Sequence, residues 1–268
     1  MKRTIMTYTI ATIVSLAAIG GLIFQPSYQM AHAQAQPPAT GALTTNPVCG
    51  QRVSGVVSLS SNLVCSGDGL MVGADNTVIN LNGYSIKNSN SGTSNNKVGI
   101  MVPMYDNVVI NGPGTISNFQ AGILATGASH LSVSTGVILL GNEIGVFMTG
   151  ADHAQLANDL FMNNNIGWAS HSVNDLVLKN GLFTNNKLAG ITSVNSHGIT
   201  LDTNTVQGSD NGIFFDSQSD GNHITKNNLN GNKIDINNAN GLPSNINQNE
   251  FAGNNCDTSN PSGICIGK

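Results

Sequence analysis

Four residues of this chain could do chemistry together: His130, His153, Asp175 and His197 recur every 22 or 23 residues. A carboxylate set among imidazoles can hold a metal ion, or raise a histidine pKa for proton transfer. A second row, Thr126, Thr149, His171, Val194 and Asp216, keeps the same beat. Val194 interrupts it, and His171 and Asp216 fall two repeats apart, near 10 Å at strand spacing. Asp210, Asp216 and Asp220 crowd one segment. They could bind Ca²⁺ through carboxylates and carbonyls, although nothing sets ligand spacing as in a defined calcium loop. Each row also has a plainer account. The first is continued on neighbouring repeats by Asn76 and Asn107 before it and His223 and Asn245 after it. Asn and His both tolerate the left-handed turn region, so the row reads first as a ladder of corners and only second as a site. The aspartates read first as solvated loop acids.

What must position these residues is a repeat. A glycine followed by a large apolar residue recurs at Gly69-Leu70, Gly99-Ile100, Gly122-Ile123, Gly145-Val146, Gly167-Trp168, Gly190-Ile191 and Gly212-Ile213. Asp235-Ile236 keeps the step and loses the glycine. A fixed period means one supersecondary unit stacked many times. Three more apolar columns follow the beat. Leu81, Ile110, Val133, Leu156, Leu178, Leu201, Ile224 and Ile246 form one; Ile86, Ile116, Ile138, Phe161, Phe183, Val206, Leu229 and Phe251 form the next. Ile79, Val108, Leu131, Ala154, Leu176 and Ile199 precede the first by two residues, and the position then turns polar at Asn222 and Ser244. The i, i+2 spacing is the strand period, and β-branched and aromatic residues dominate. No stretch inside the repeat holds a helical period.

Each unit is therefore three short strands and three turns, and successive units pair in parallel about 4.8 Å apart. Eight such coils make a rod roughly 35–40 Å long. Glycines and asparagines mark the corners, notably Asn163 to Asn165, Asn185-Asn186, Asn227-Asn228 and Asn254-Asn255. Short amides tolerate tight turns, and stacked amides can bond one another along the rod. The segment Asn88 to Asn96 lengthens one step to 30 residues and is expected as a polar loop. Trp168 aligns with the inward column and is expected in the core.

The ends carry their own signals. Lys2 and Arg3, the apolar run Ile10 to Phe24 and Ala31-His32-Ala33 compose a secretory signal over residues 1–33. Kept uncleaved, the same run would be an anchor, though it is shorter than the roughly 20 residues that span a bilayer. Residues 34–47 form an uncharged Pro/Ala/Thr-rich linker, and residues 48–268 the repeat domain. That domain divides into an N-terminal cap over 48–68, coils over 69–253 and a C-terminal cap over 254–268. The formal charge of −4 becomes more negative once Lys2 and Arg3 are removed, which disfavours a nucleic-acid partner. No membrane span is expected after signal cleavage. Four cysteines stand at the two ends of the array, Cys49 and Cys65 before it and Cys256 and Cys265 after it. In an exported chain they read as two disulfides. The pairing 49–65 with 256–265 is favoured, since the other two connectivities would span the whole solenoid.

The phrases Asn76-Thr77-Val78-Ile79-Asn80-Leu81 and Lys226 to Asn232 resemble those of right-handed parallel β-helix repeat proteins. These include the NosD-like and the carbohydrate-binding and sugar-hydrolase families. The entry segment from Cys49 to Leu70 is similar to the N-terminal cap of secreted members. The resemblance covers residues 48 to 255 and implies fold strongly and function weakly, because the fold hosts many activities. Leucine-rich repeats share the period but need a leucine-dominated pattern, and the calcium-binding nonapeptide G-G-x-G-x-D is absent.

An inventory tests the enzymes of this fold. Lyase-like members use an arginine or lysine base beside calcium-binding aspartates, whereas Arg52, in the cap, is the one arginine after the signal. Polygalacturonase-like members carry Asp-Asp, Gly-His-Gly and Arg-x-Lys; here only Ser196-His197-Gly198 approaches that set. The Asp-Pro-His-Glu signature of epimerases is missing, and the two glutamates, Glu143 and Glu250, lie far apart. The sequence thus points to a secreted or cell-surface, non-catalytic β-solenoid. Its expected partner is an extracellular polysaccharide or envelope glycan, and no cofactor is expected, Ca²⁺ excepted if the aspartates converge. A polysaccharide-active enzyme using the His/Asp row is the alternative. NosD-like metal delivery, resting on fold analogy, is the second.

Overall fold

The computed structural model describes residues 43–90, 96–243 and 245–265. The expected signal at 1–33, most of the linker, the tip of the Asn88–Asn96 loop and Ser244 lie outside the described residues. The described chain is an all-β parallel solenoid of about nine turns. Three sheets run its length. The first has ten strands, from Leu43–Thr45 to Glu250–Ala252. The second has eight, from Leu63–Cys65 to Asn228–Asn230. The third has ten, from Gln51–Val53 to Ser259–Asn260. Every neighbouring pair is parallel and in register, as in Leu124↔Phe147↔Ala169↔Thr192. Among the described residues no helix is long and apolar enough to cross a membrane.

The inward columns fill the bore. Ile123, Val146, Trp168, Ile191 and Ile213 stack from the third sheet, all buried. Phe161 and Phe183 stack from the second at 4.3 Å between centroids, their planes 4° apart. Trp168 is fully buried, as expected. The register corrects the columns at three places. Ile79, not Leu81, pairs with Ile110, so the first coil is shifted by two residues. Leu139, not Ile138, lies between Ile116 and Phe161. Phe251, not Ile246, follows Ile224, and Ile246 is 60% exposed. Each slip falls where a turn gains or loses residues, which a count along the chain cannot see.

The glycines of the Gly-apolar step serve a different purpose from the one expected. None of the seven has positive φ. They are needed for close approach: a Cβ on Gly122 would stand 2.6 Å from the carbonyl oxygen of Gly145 and 2.8 Å from Leu139. At this step one coil's backbone passes directly over the next. The third sheet is apolar on both faces, since Met101, Leu124, Phe147 and Phe214 alternate with core residues and are also buried.

Asparagine occupies the inner corners. Asn142, Asn164 and Asn186 stack between the second and third sheets; Asn204, Asn227 and Asn254 stack between the first and second. The Asn204 Nδ2 donates to Leu178 O at 3.0 Å and to Asn227 Oδ1 at 3.0 Å, while its Oδ1 accepts the Gly181 N–H at 2.8 Å. The amide side chain thus extends the hydrogen-bond ladder round a bend where the backbone alone leaves groups unmatched. The cysteines pair 49–65 and 256–265 at the two ends. Of the described residues none is a free cysteine.

Candidate functional site

The His/Asp row lies on the corner that leads from the third sheet into the first. Asn76, Asn107, His130, His153 and Asp175 all adopt left-handed backbone, with φ between 52 and 57°. Each is the residue at which the chain bends, and Asn, Asp and His are the side chains that enter this region most readily. The His130 and His153 rings stack at 5.2 Å with planes 12° apart. His153 Nε2 lies 3.6 Å from Asp175 Oδ2, with both side chains more than half exposed. Three of the four expected residues therefore do come together.

His197 does not join them. Its backbone bridges Asn174, in the row Ser129, Asp152, Asn174, and the place after Asp175 belongs to Gly198 at φ 65°. The cause is coil length. The step from Leu178 to Leu201 is 23 residues, so the mate of Asp175 is Gly198 and a count of 22 lands one residue early. His197 Nδ1 instead meets Asp220 Oδ1 at 2.5 Å. His223 belongs to a third row, inside a strand, where Nδ1 meets Glu250 Oε2 at 2.7 Å. The corner thus carries separate, solvated imidazole–carboxylate contacts rather than one cluster. Exposed pairs of this kind contribute roughly 0–1 kcal/mol each.

The three aspartates proposed for Ca²⁺ are each engaged elsewhere. Asp210 pairs with Lys233 at 2.7 Å. The Asp216 Oδ1 accepts the Asn195 N–H at 3.0 Å and the Ser219 hydroxyl at 2.6 Å, which closes its own turn. Asp220 faces His197. The row Thr126, Thr149, His171, Val194 forms as read, with Asp216 one coil further. His171 is half-buried, and burial lowers its pKa while the charge of Asp216 partly opposes that. Arg52 is occupied as well, donating from Nη2 to the Tyr105 hydroxyl at 2.6 Å.

As donors for a metal these groups are arranged poorly. Two nearly parallel imidazoles direct their in-plane lone pairs side by side, whereas a shared ion needs nitrogens converging at about 2.0 Å. Both disulfides remove their thiolates from the donor set. Among the described residues no group of three or more His, Cys, Asp or Glu side chains is arranged to hold a metal ion.

One group that sequence reasoning missed is Asp159. It is 1% exposed, its Oδ1 accepts the Val137 N–H at 2.9 Å, and its Oδ2 has no hydrogen-bond partner. Burial, opposed in part by the N–H groups of Val137, Ala157 and Gly136, raises its pKa to about 7. The available signal was an aspartate at a corner where the following coils place Gly181, Asn204 and Asn227.

No curated protein matches the chain. One matching solved structure is ORF18 of Geobacillus virus E2, 12% identical with a TM-score of 0.38. The match covers 80% of this chain and 54% of that one, so the chain spans about half the length of that protein. The family model described as periplasmic copper-binding protein (NosD) matches residues 60–263, three quarters of the chain and nearly the whole solenoid. With that span matched and the parallel coils in place, the chain belongs to the NosD family.

Proposed function

We propose that this protein is a non-catalytic accessory β-helix acting outside the cytosol, in the periplasm for which its family is described. It offers its polar, weakly charged faces to an extended glycan or another envelope polymer. The observation that carries this reading is the backbone of the His/Asp corner. His130, His153 and Asp175 continue Asn76 and Asn107 in left-handed conformation, so the residues that looked chemical are accounted for as corner-formers. Two disulfides suit an oxidising compartment.

A glycan array, combined with reducing-end and unsaturated-product assays on the purified protein, tests the proposal. Weak polysaccharide binding and no turnover are expected. Steady product release that His153→Ala abolishes would establish an enzyme in its place. His153→Asn should keep both binding and stability, because Asn holds the same backbone region.

The family description names copper, and that is a property of the family as described. The His, Cys, Asp and Glu side chains among the described residues do not converge as a copper centre needs. Dialysis against Cu²⁺, followed by desalting and metal analysis, should leave well under one equivalent per chain. A retained equivalent that is lost in His130→Asn would reinstate the metal reading at this corner.

A further inference from the structure

The inner corner between the first and second sheets runs through Val137, Asp159, Gly181, Asn204 and Asn227. Gly181 fills this position with no side chain, and the asparagines show what a polar side chain does there. Asn204 and Asn227 each accept, at Oδ1, the N–H of the row mate one coil back. Each donates from Nδ2 to a first-sheet carbonyl 26 residues earlier, Leu178 O at 3.0 Å and Leu201 O at 2.9 Å. Asp159 reproduces the first half of this pattern through its bond from Val137 N–H at 2.9 Å. The second half needs a donor, and by register its acceptor is the carbonyl of Val133, which heads the same column as Leu156, Leu178 and Leu201. A carboxylate has no proton to give there. Two acceptors would face each other in a site that is closed to water.

We infer that Asp159 is kept as the neutral acid, donating Oδ2–H in the place of an asparagine Nδ2, and that it makes the middle of the solenoid a pH-sensitive element. The Oδ2 atom that has no partner is the one that then acquires a role. No counter-charge competes for it. On the adjoining segments 132–140 and 177–184 the one titratable side chain is Lys179, which is exposed. Burial raises the Asp159 pKa from 3.8 to about 7, which agrees with the geometry. The native state therefore holds a proton that the unfolded chain releases near pH 3.8. Stability from this group is complete below that value, declines as pH rises, and is lost through pH 7. Above neutrality a buried carboxylate strains the coil that also carries His153.

Thermal unfolding of the wild-type protein and of Asp159→Asn, from pH 5 to pH 9, tests this. The wild-type midpoint should fall relative to the variant as pH rises. The gap at pH 8.5 should be on the order of 10 °C larger than at pH 5. Parallel profiles would overturn the inference. A spectroscopic titration gives an independent reading: the carboxyl signal that Asp159→Asn removes should titrate near neutrality, and a midpoint in the ordinary aspartate range would also overturn it.

Discussion

Gly167→Val is expected to prevent folding outright, leaving aggregated protein, or a soluble chain without a cooperative unfolding transition. A Cβ at this position would lie 2.5 Å from the Gly190 carbonyl oxygen, 2.7 Å from the Phe183 ring and 3.1 Å from Asn186 Nδ2. Two of those neighbours cannot yield. The carbonyl belongs to the ladder that joins consecutive coils, and Phe183 is clamped against Phe161. Valine adds two methyl groups beyond that Cβ. Relief requires the coils to part locally, and in a solenoid each coil's main partners are the coils beside it. A cost above about 4 kcal/mol is implied, in the range of severe overpacking and enough to exhaust much of a domain's net stability. Gly150→Asn is the matched control. Gly150 has φ of 56° with nothing within 4 Å of an added Cβ, and asparagine accepts that backbone. Circular dichroism melts should show a cooperative transition for Gly150→Asn and none for Gly167→Val. A cooperative Gly167→Val transition near that of the control would mean that the coils can part to admit a side chain and that close approach does not demand glycine at this step.

That distinction marks how far the sequence could be read. Seven Gly-apolar pairs gave the period, the period gave the parallel stack, and the two disulfides followed from the positions of the cysteines. The purpose of the glycines was not legible, because turn-forming and close approach leave the same letter in the chain. The His/Asp row was legible for three members, His130, His153 and Asp175, and lost at His197. One coil of 23 residues where 22 was counted turns a side chain into its neighbour's row, and only hydrogen-bond register reveals it. Leu81 and Ile246 were misplaced by the same arithmetic beside longer turns. The three candidate calcium acids are engaged separately for another reason: nearness in sequence does not say which side chain turns toward Lys233, toward Ser219 or toward His197. Asp159 was overlooked because a single aspartate among corner asparagines differs from them by one atom. Its consequence appears only when that atom is buried.

Asn164→Ala should cost about 3–5 kcal/mol, although it removes a side chain of modest size from a position no solvent reaches. Asn164 is the middle rung of its ladder. Its Oδ1 accepts the Asn142 N–H at 2.8 Å and Asn142 Nδ2 at 3.2 Å; its Nδ2 donates to Leu139 O at 3.0 Å and Asn186 Oδ1 at 2.9 Å. Alanine leaves the Asn142 N–H without an acceptor and opens a small cavity between the second and third sheets. A buried orphan donor alone costs roughly 1–3 kcal/mol. Asn164→Asp separates the two halves of the role. It keeps the acceptor for Asn142 N–H but turns a second oxygen toward Leu139 O, so its deficit should be smaller in acid than at pH 8. A double-mutant cycle with Asn186→Ala should show coupling, since both rungs share one hydrogen-bond chain. Denaturant midpoints at constant slope would measure each variant. A cost under about 1 kcal/mol for Asn164→Ala would mean that water satisfies the corner and the asparagines are turn-formers only. The donor role of Asp159 would then lose its support as well, because it repeats the same pattern: a polar side chain at an inner corner supplies one acceptor to the coil before it and one donor to a carbonyl.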